Sequence, residues 1–293
     1  MKKYLNAYAP SLGELWFILL VLVCIGGSLA SGAMAVVIQF IFNVDQQTFQ
    51  MISVLAYPLL FVFAIPYIYR QSKNHFHLCV HKKEPLPSLP ATSFGKMPIL
   101  ILFVLLLLVV AAYAIAIEPL TMWIPMPEFI RKIFESFTSN GWASFLSVVV
   151  MAPLLEEWLC RKVALGGLLK RGYSPAAAIC WSALMFGIMH LNPWQTIPAF
   201  LVGLLLGWVY WRTRSLWAVV FMHAVNNGFA FLLTVLFPEL PDDVSTLDVV
   251  GSHAYPLVLA GAVVVVGLII WLLHKQFSPA SSLFKRADHP AAA

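Results

Sequence analysis

Residues 151–170 read MAPLLEEWLCRKVALGGLLK, and this stretch decides how the rest of the chain is interpreted. It begins as an apolar run and then carries two adjacent carboxylates, Glu156 and Glu157, with Arg161 four residues after the second. An ionisable side chain inside a lipid bilayer is costly, so such a group marks a candidate functional site. Two questions follow: whether this stretch lies in a membrane, and which other polar side chains serve the two acids.

The composition indicates an integral membrane protein. Of the 293 residues, 61% are hydrophobic and 11% are charged, whereas a soluble domain has about 25% charged residues. The basic residues, which give a net charge of +5, lie between apolar runs and not in one patch. We therefore expect the lipid bilayer as a partner and no nucleic acid. The four cysteines form no CxxC pair, so no disulfide is expected.

The apolar runs predict an all-α, polytopic fold with about eight transmembrane helices, since a span needs about 17–25 residues. The runs cover residues 14–43, 51–69, 97–117, 141–162, 174–190, 194–211, 215–237 and 255–273. If the N-terminus lies in the cytoplasm and the spans alternate, every Lys and Arg except Arg131 and Lys132 falls on the cytoplasmic side. This agrees with the positive-inside rule and predicts that both termini are cytoplasmic.

Helical spacing distinguishes the two acids. Residues four apart share one face of a helix, so Glu157 and Arg161 are expected to stack one turn apart. Glu156 has Cys160 at that spacing and gains no such partner. Glu157 therefore suits a structural role, and Glu156 is the better candidate for a base.

A predicted turn brings a histidine to the same depth. Gly172 suits the left-handed position after a helix, Ser174 an N-cap and Pro175 the first position of the next helix. Glu156 lies 16 residues before Gly172 and His190 lies 18 after it. At about 1.5 Å per residue, the two are level within about one turn.

A third pair of polar side chains lies in span seven. His223 and Asn227 are four residues apart and share a face, about 12 Å into that span. A single buried His or Asn most often only holds helices together. Six polar groups on three helices at compatible depths favour a functional site instead. They are Glu156, Glu157, Arg161, His190, His223 and Asn227.

These residue types fit hydrolysis of an amide bond with water as the nucleophile. A carboxylate beside an imidazole can deprotonate water, and a second imidazole with an Asn amide can donate to a developing oxyanion. The sequence contains neither a GxSxG nor an HExxH motif. Glu156, His190 and His223 could in principle bind Zn²⁺, so zinc stays an alternative to a metal-free site.

Three motifs carry a resemblance to a known family. EEWLCR (156–161), FGIMH (186–190) and HAVNN (223–227) match EExxxR, FxxxH and HxxxN, in this order. The chain thereby resembles the CPBP family, which comprises CAAX prenyl proteases of the Ras-converting type and bacteriocin-processing or immunity (Abi) proteins. The resemblance covers about residues 140–237 and implies an eight-span helical membrane protein with intramembrane endopeptidase activity.

The resemblance also implies a role for each polar residue. Glu156 is similar to the catalytic glutamate that activates water, with His190 assisting it. His223 and Asn227 resemble the pair that stabilises the oxyanion.

Three further residues are implied as supporting ones. Glu157 and Arg161 resemble the family's supporting residues, and Phe186, in the second motif, is taken as a substrate-binding residue. The family has been described both as metal-dependent and as glutamate-dependent without metal. We favour the metal-free reading, so no cofactor is expected.

The resemblance divides the chain into four regions. An N-terminal region of three spans (1–120) is expected to tune substrate access. The segment 121–140 contains an amphipathic helix, PEFIRKIFESFTS, which is expected to lie on the outer membrane surface. Spans four to seven (141–237) form the catalytic core, and residues 238–293 form the last span and a cytoplasmic tail.

The expected location is the bacterial inner membrane, and the expected substrate is a peptide or protein. A bacteriocin leader, a signalling peptide and a lipidated C-terminus are equally compatible with the sequence. The alternative function is a non-catalytic self-immunity or scaffold protein of the same family, in which the polar residues only hold helices together. A transporter would be expected to have inverted repeats, which we do not find.

One cluster lies outside these motifs. His75, His77, Cys79 and His81 alternate in HFHLCVH, just inside span two. In an extended conformation they would share one face and offer metal-ligand types. The alternative is a segment at the lipid headgroups with its apolar residues turned inward.

Overall fold

The computed structural model describes residues 2–123, 127–129, 131–132, 140–237 and 244–277, and within these ranges the chain has helices and no strand. The helices whose bounds lie within the described ranges are numbered in chain order. They are α1 (Lys2–Ala7), α2 (Leu12–Phe42), α3 (Gln46–Leu55), α4 (Tyr57–Lys82), α5 (Ile99–Leu120), α6 (Trp142–Lys170), α7 (Pro175–Ile188), α8 (Pro193–Thr213), α9 (Leu216–Leu236) and α10 (Thr246–Gln276). The predicted all-α, polytopic fold is thus confirmed.

The number of full crossings is smaller than predicted. Six of the described helices are long and apolar enough to cross a membrane, and α3 with α4, bent by 41°, makes a seventh if the pair is one span. The eighth predicted span is α7, which has 14 residues. Such a helix is about 21 Å long, whereas the hydrocarbon core is about 30 Å thick. The expectation of eight complete spans is therefore not met, because α7 ends early.

The most buried span is α6, which carries the two acids. In its most apolar window 56% of the residues are buried inside the protein, compared with 17–39% in the other spans. It packs against α7, α9 and the first turn of α4. A chain segment so enclosed is shielded from lipid, which lets it carry charged side chains at membrane depth.

The predicted hairpin between α6 and α7 is confirmed. Gly172 has a φ of 86°, the left-handed conformation that the sequence required of it. The Ser174 side chain accepts a hydrogen bond from the Ala177 amide at 3.2 Å and caps α7, with Pro175 as its first residue. The two helices therefore run antiparallel, as the depth comparison of Glu156 with His190 assumed.

A tight connection joins α7 to α8. Leu191 has a φ of 57°, and the Asn192 side chain caps α8 by accepting a hydrogen bond from the Gln195 amide at 2.9 Å. The two helices lie close together, since a Cβ atom on Gly187 would be 2.6 Å from the Thr196 carbonyl oxygen. This packing fixes the end of α7, where His190 lies.

The break between α3 and α4 has an identifiable cause. Pro58 has no N–H, so it cannot bond the Val54 carbonyl as a regular helix would require. The Ser147 hydroxyl on α6 donates to that carbonyl instead, at 2.7 Å, in a buried contact. The chain resumes at Tyr57 in a tight 3₁₀ turn, Tyr57–Phe61. The break is thereby anchored on the helix that carries the acids.

The N-terminus lies at the same end of the protein as the α6–α7 turn. The Arg171 guanidinium donates to the Ala9 carbonyl at 2.9 Å, and the Lys170 ammonium donates to the Leu5 carbonyl at 3.2 Å. This grouping of basic residues with the N-terminus agrees with the predicted topology. That this end faces the cytoplasm stays a prediction.

Two other predictions concern local structure. The segment 75–81 lies inside α4, so the extended conformation considered for its histidines is wrong. The amphipathic helix expected over 127–139 falls largely outside the described residues, as does the predicted tail after Phe277.

Candidate active site

Glu157 makes two contacts at the centre of the polar cluster. Its Oε2 lies 3.0 Å from Arg161 Nε, and both side chains are completely buried. The predicted pairing one helical turn apart is therefore confirmed. It is an ion pair only, because the guanidinium and the carboxylate are not aligned for a hydrogen bond. Its Oε1 lies 3.0 Å from His223 Nδ1 on α9. A carboxylate oxygen accepts and a ring N–H donates, so Nδ1 is assigned as the donor in this contact, which fixes the ring.

Arg161 is compensated from two sides. Glu157 supplies the counter-charge, and the guanidinium carbon lies 4.7 Å from the centre of the Phe186 ring on α7. The negative face of an aromatic ring attracts a cation at this distance. Arg161 therefore joins α6 to α7 at the level of the site.

Glu156 has partners that its spacing along α6 did not predict. Its Oε1 accepts a hydrogen bond from the Tyr57 hydroxyl at the start of α4. Its Oε2 lies 3.9 Å from His223 Nε2, which is too long for a direct hydrogen bond. Glu156 thus gains no partner on its own helix, as expected, but it has one on α4.

Tyr57 is the residue at this site that the sequence interpretation missed. It lies 99 positions before Glu156 in the chain. The sequence does show a tyrosine directly before Pro58 in the middle of an apolar run, where its hydroxyl is a polar group at membrane depth. The sequence does not show which residue that hydroxyl contacts.

Phe186 stands between the two imidazoles. Its ring centre is 5.5 Å from that of His190 and 5.2 Å from that of His223, edge-on in both cases. His190 Nδ1 lies 2.9 Å from the Phe186 carbonyl oxygen on its own helix. Among the described residues, the imidazole that faces Glu156 is that of His223 on α9. Counting residues had placed His190 at the same depth, but depth alone does not show which imidazole faces Glu156.

Asn227 is attached to α6. Its Nδ2 donates to the Val148 carbonyl at 2.9 Å, about two turns before Glu156. Asn227 also lies one turn after His223 on α9, as its spacing predicted. The amide is thus held near the site by the helix that carries the acids.

The histidines and acids were also considered as zinc ligands. Within the described part of the chain, no three His, Cys, Asp or Glu side chains converge as a metal ion would require. Glu156, His190 and His223 therefore do not form a ligand set in this arrangement. The same holds for the four residues of segment 75–81.

Comparisons with known proteins agree with the motifs. Residues 138–229 match the family described as "Type II CAAX prenyl endopeptidase Rce1-like". The membrane-embedded CAAX protease MroQ of Staphylococcus aureus (strain USA300) is 33% identical over 98 residues, which are 31% of this chain and 39% of that protein. The putative membrane peptidase YdiL of Bacillus subtilis (strain 168) is 27% identical over 84 residues, or 29% and 34% of the two chains.

These similarities cover the helices that carry the three motifs. The matched part of the chain thus spans between a third and two fifths of the curated relatives' length. No solved structure matches the chain significantly. The matched region contains all three motifs and α6 to α9, apart from the last helical residues of α9. On these motifs and matches, the chain is a multi-pass membrane protein whose residues 138–229 are similar to the CAAX-type membrane proteases of the CPBP family.

Proposed function

We propose that the protein is an intramembrane endopeptidase in which Glu156 activates a water molecule to hydrolyse a peptide bond. The observation that carries this proposal is the position of Glu156 Oε2, 3.9 Å from His223 Nε2 in a buried site. Glu157 orients His223 from the opposite side of the ring, at 3.0 Å. A carboxylate and an oriented imidazole thus face each other where an attacking water is needed.

The separation suits a shared water. A water about 2.8 Å from each of two atoms can bridge a gap of this size. In the proposed reaction, Glu156 takes one proton from that water while the oxygen attacks the carbonyl carbon of the substrate. The carbon–nitrogen bond then breaks, and Glu156 returns the proton to the departing amine. Atoms and charge balance without a covalent enzyme intermediate.

The oxyanion that forms during the attack needs hydrogen-bond donors. We assign this role to the Asn227 amide and to His223, both on α9. Nε2 of His223 donates in the imidazolium form, in which both ring nitrogens carry a hydrogen. His190 assists from the far side of Phe186, and Phe186 itself borders the place where the substrate binds. Arg161 supplies the counter-charge of Glu157 and so helps to keep His223 in its orientation.

No step of this reaction requires a metal ion. We therefore propose a glutamate-dependent, metal-free mechanism, with zinc as the alternative.

The substrate is proposed to be a peptide or a protein terminus at the membrane. One relative is named a membrane-embedded CAAX protease and the other a putative membrane peptidase. Both are bacterial, and we therefore propose the bacterial inner membrane as the location. A lipidated C-terminus, a bacteriocin leader and a signalling peptide are the three substrate types to be tested.

The test is peptide hydrolysis by the purified protein in lipid nanodiscs. The probe is a library of quenched fluorescent peptides, synthesised with and without a C-terminal farnesyl-cysteine. Glu156→Gln is expected to lower the rate about 10²- to 10⁴-fold with little change in thermal stability. Glu118→Gln is the matched control, since Glu118 accepts a hydrogen bond from the Thr246 amide away from the site.

Two results would contradict the proposal. Undiminished hydrolysis by Glu156→Gln would remove the assigned base. Biological function that persists in this variant, without hydrolysis of any peptide, would favour the non-catalytic immunity or scaffold alternative.

A further inference from the structure

We infer that Tyr57 is a positioning residue for Glu156, and that the break between α3 and α4 brings its hydroxyl to the site. This inference rests on the proposed role of Glu156 as the base. It assigns a function in the reaction to the N-terminal region, which lies outside the three motifs and outside the matched residues 138–229. The contact that carries it is the hydrogen bond from the Tyr57 hydroxyl to Glu156 Oε1.

The hydrogen bond determines which carboxylate oxygen is available. A Glu carboxylate rotates broadly about its last side-chain torsion, so its two oxygens would otherwise exchange places. With Oε1 held by the phenol, Oε2 is the oxygen that lies 3.9 Å from His223 Nε2. Tyr57 thus selects the orientation in which Glu156 and His223 can share one water.

The position of Tyr57 depends on the broken helix. The helix axis bends by 41° between α3 and α4, and Tyr57 is the first residue after the bend. A continuous helix would direct this side chain elsewhere. The bend is held by the Ser147 hydroxyl, which bonds the Val54 carbonyl that Pro58 leaves without a donor. Ser147 and Glu156 lie on the same helix, so α6 both anchors the bend and carries the acid that Tyr57 contacts.

The 3₁₀ turn is also supported from α2. Gly27 lies directly against the backbone of Leu60, where an added Cβ atom would be 2.5 Å from the Leu60 Cα and 2.6 Å from its carbonyl carbon. The ring of Tyr57 lies 6.1 Å from that of Phe61 within the turn. Contacts with two helices therefore fix the turn that carries the tyrosine: α6, through Glu156 and Ser147, and α2, through Gly27.

A tyrosine hydroxyl can also join helices without any role in chemistry. Tyr113 does this in the same protein, since its hydroxyl donates to the Leu201 carbonyl at 2.9 Å and links α5 to α8. The two tyrosines each lose one interhelical hydrogen bond on substitution by phenylalanine. Tyr113→Phe is therefore the matched control for Tyr57→Phe.

The experiment compares kcat and KM of these variants on the best peptide from the library. Tyr57→Phe is expected to lower kcat about 10- to 100-fold, the usual effect of removing a hydrogen bond to a charged group. KM should stay within about two-fold, since the phenol does not bind substrate in this proposal. Tyr113→Phe should lower thermal stability by a similar amount and leave kcat unchanged.

Ser147→Ala provides an independent variant, because it keeps the tyrosine but releases the bend. It is expected to lower kcat less than Tyr57→Phe does. The double variant Tyr57→Phe/Ser147→Ala should then be no slower than Tyr57→Phe alone, since both act through the same hydroxyl.

The possible outcomes separate the two proposals. If Glu156→Gln is inactive and Tyr57→Phe keeps the full kcat, the positioning role is overturned and the proposed function stands. If Glu156→Gln is fully active, both are overturned. If Tyr57→Phe fails to fold, the kcat of Ser147→Ala is measured instead. An unchanged kcat in Ser147→Ala would then overturn the positioning role of Tyr57.

Discussion

His223 Nδ1 lies 3.0 Å from Glu157 Oε1, while Nε2 of the same ring lies 3.9 Å from Glu156 Oε2. One imidazole therefore contacts one of the adjacent acids and faces the other. Glu157 is bound closely on both oxygens, by this ring and by Arg161. Glu156 has one oxygen bound by Tyr57 and the other turned toward the imidazole. The two acids differ by one position in sequence, and their surroundings give them different tasks.

Replacement of Glu157 should destabilise the protein. Glu157→Gln would leave the fully buried Arg161 without its counter-charge, which typically costs about 3–5 kcal/mol. The measurement is thermal or denaturant unfolding in detergent. Glu128→Gln is the matched control, because Glu128 pairs with Lys132 at the same spacing, 2.8 Å apart, but is 78% exposed. That control should cost less than about 1 kcal/mol. Equal effects would contradict the assigned structural role of Glu157.

The two histidines should rank differently in catalysis. His223→Ala is expected to lower peptide hydrolysis about 10²- to 10⁴-fold, and His190→Ala by clearly less. The reason is that His223 faces Glu156 directly, whereas His190 stands behind Phe186. The measurement is kcat/KM for both variants on one peptide, with thermal stability followed in parallel. The opposite order would show that the position of His223 in this structure is not the catalytic one.

Substitution of Gly27 should reduce activity from a distance. An alanine there would force the Leu60 backbone away and move the turn that carries Tyr57. Gly27→Ala is expected to lower both kcat and thermal stability. Gly32→Ala, five positions later in α2, is the matched control, since a Cβ atom added there would meet no other atom within 4 Å. A Gly27→Ala variant as active as Gly32→Ala would argue against the support of the turn by α2.

Removal of metal ions should leave hydrolysis unchanged. The purified protein, treated with a strong chelator and dialysed, is expected to retain its full kcat, because no step of the proposed reaction uses a metal. Metal content measured on the same sample by mass spectrometry is the control. Loss of activity that zinc restores would contradict the metal-free mechanism and favour the alternative of Glu156, His190 and His223 as ligands.

Features that depend on near neighbours in the chain were predictable. The spacing of Glu157 and Arg161 predicted their ion pair, and Gly172 followed by Ser174 predicted the hairpin. Both follow from the geometry of a single helix end or helix face. The break between α3 and α4 also has a local cause, Pro58. The residue that Tyr57 contacts after this break could not be predicted.

Features that depend on helix rotation were not predictable. Counting residues placed His190 and His223 at the depth of Glu156, but depth does not say which way each helix faces. The approach of His223 to Glu156 results from how α9 packs on α6. The contact of Tyr57 with Glu156 joins residues 99 positions apart and is likewise a result of packing.

The early end of α7 has a consequence for the supply of water. With 14 residues, α7 reaches at most about 21 Å into a hydrocarbon layer about 30 Å thick. If α7 begins at one boundary of that layer, the backbone from Met189 to Asn192 turns about 9 Å short of the other. Irregular backbone at such depth is tolerated only beneath protein or beside a water-filled space. The α7–α8 connection is therefore a place where water can reach His190 from that boundary. The proposed hydrolysis consumes one water molecule per turnover, and a short α7 would shorten the path along which that molecule permeates.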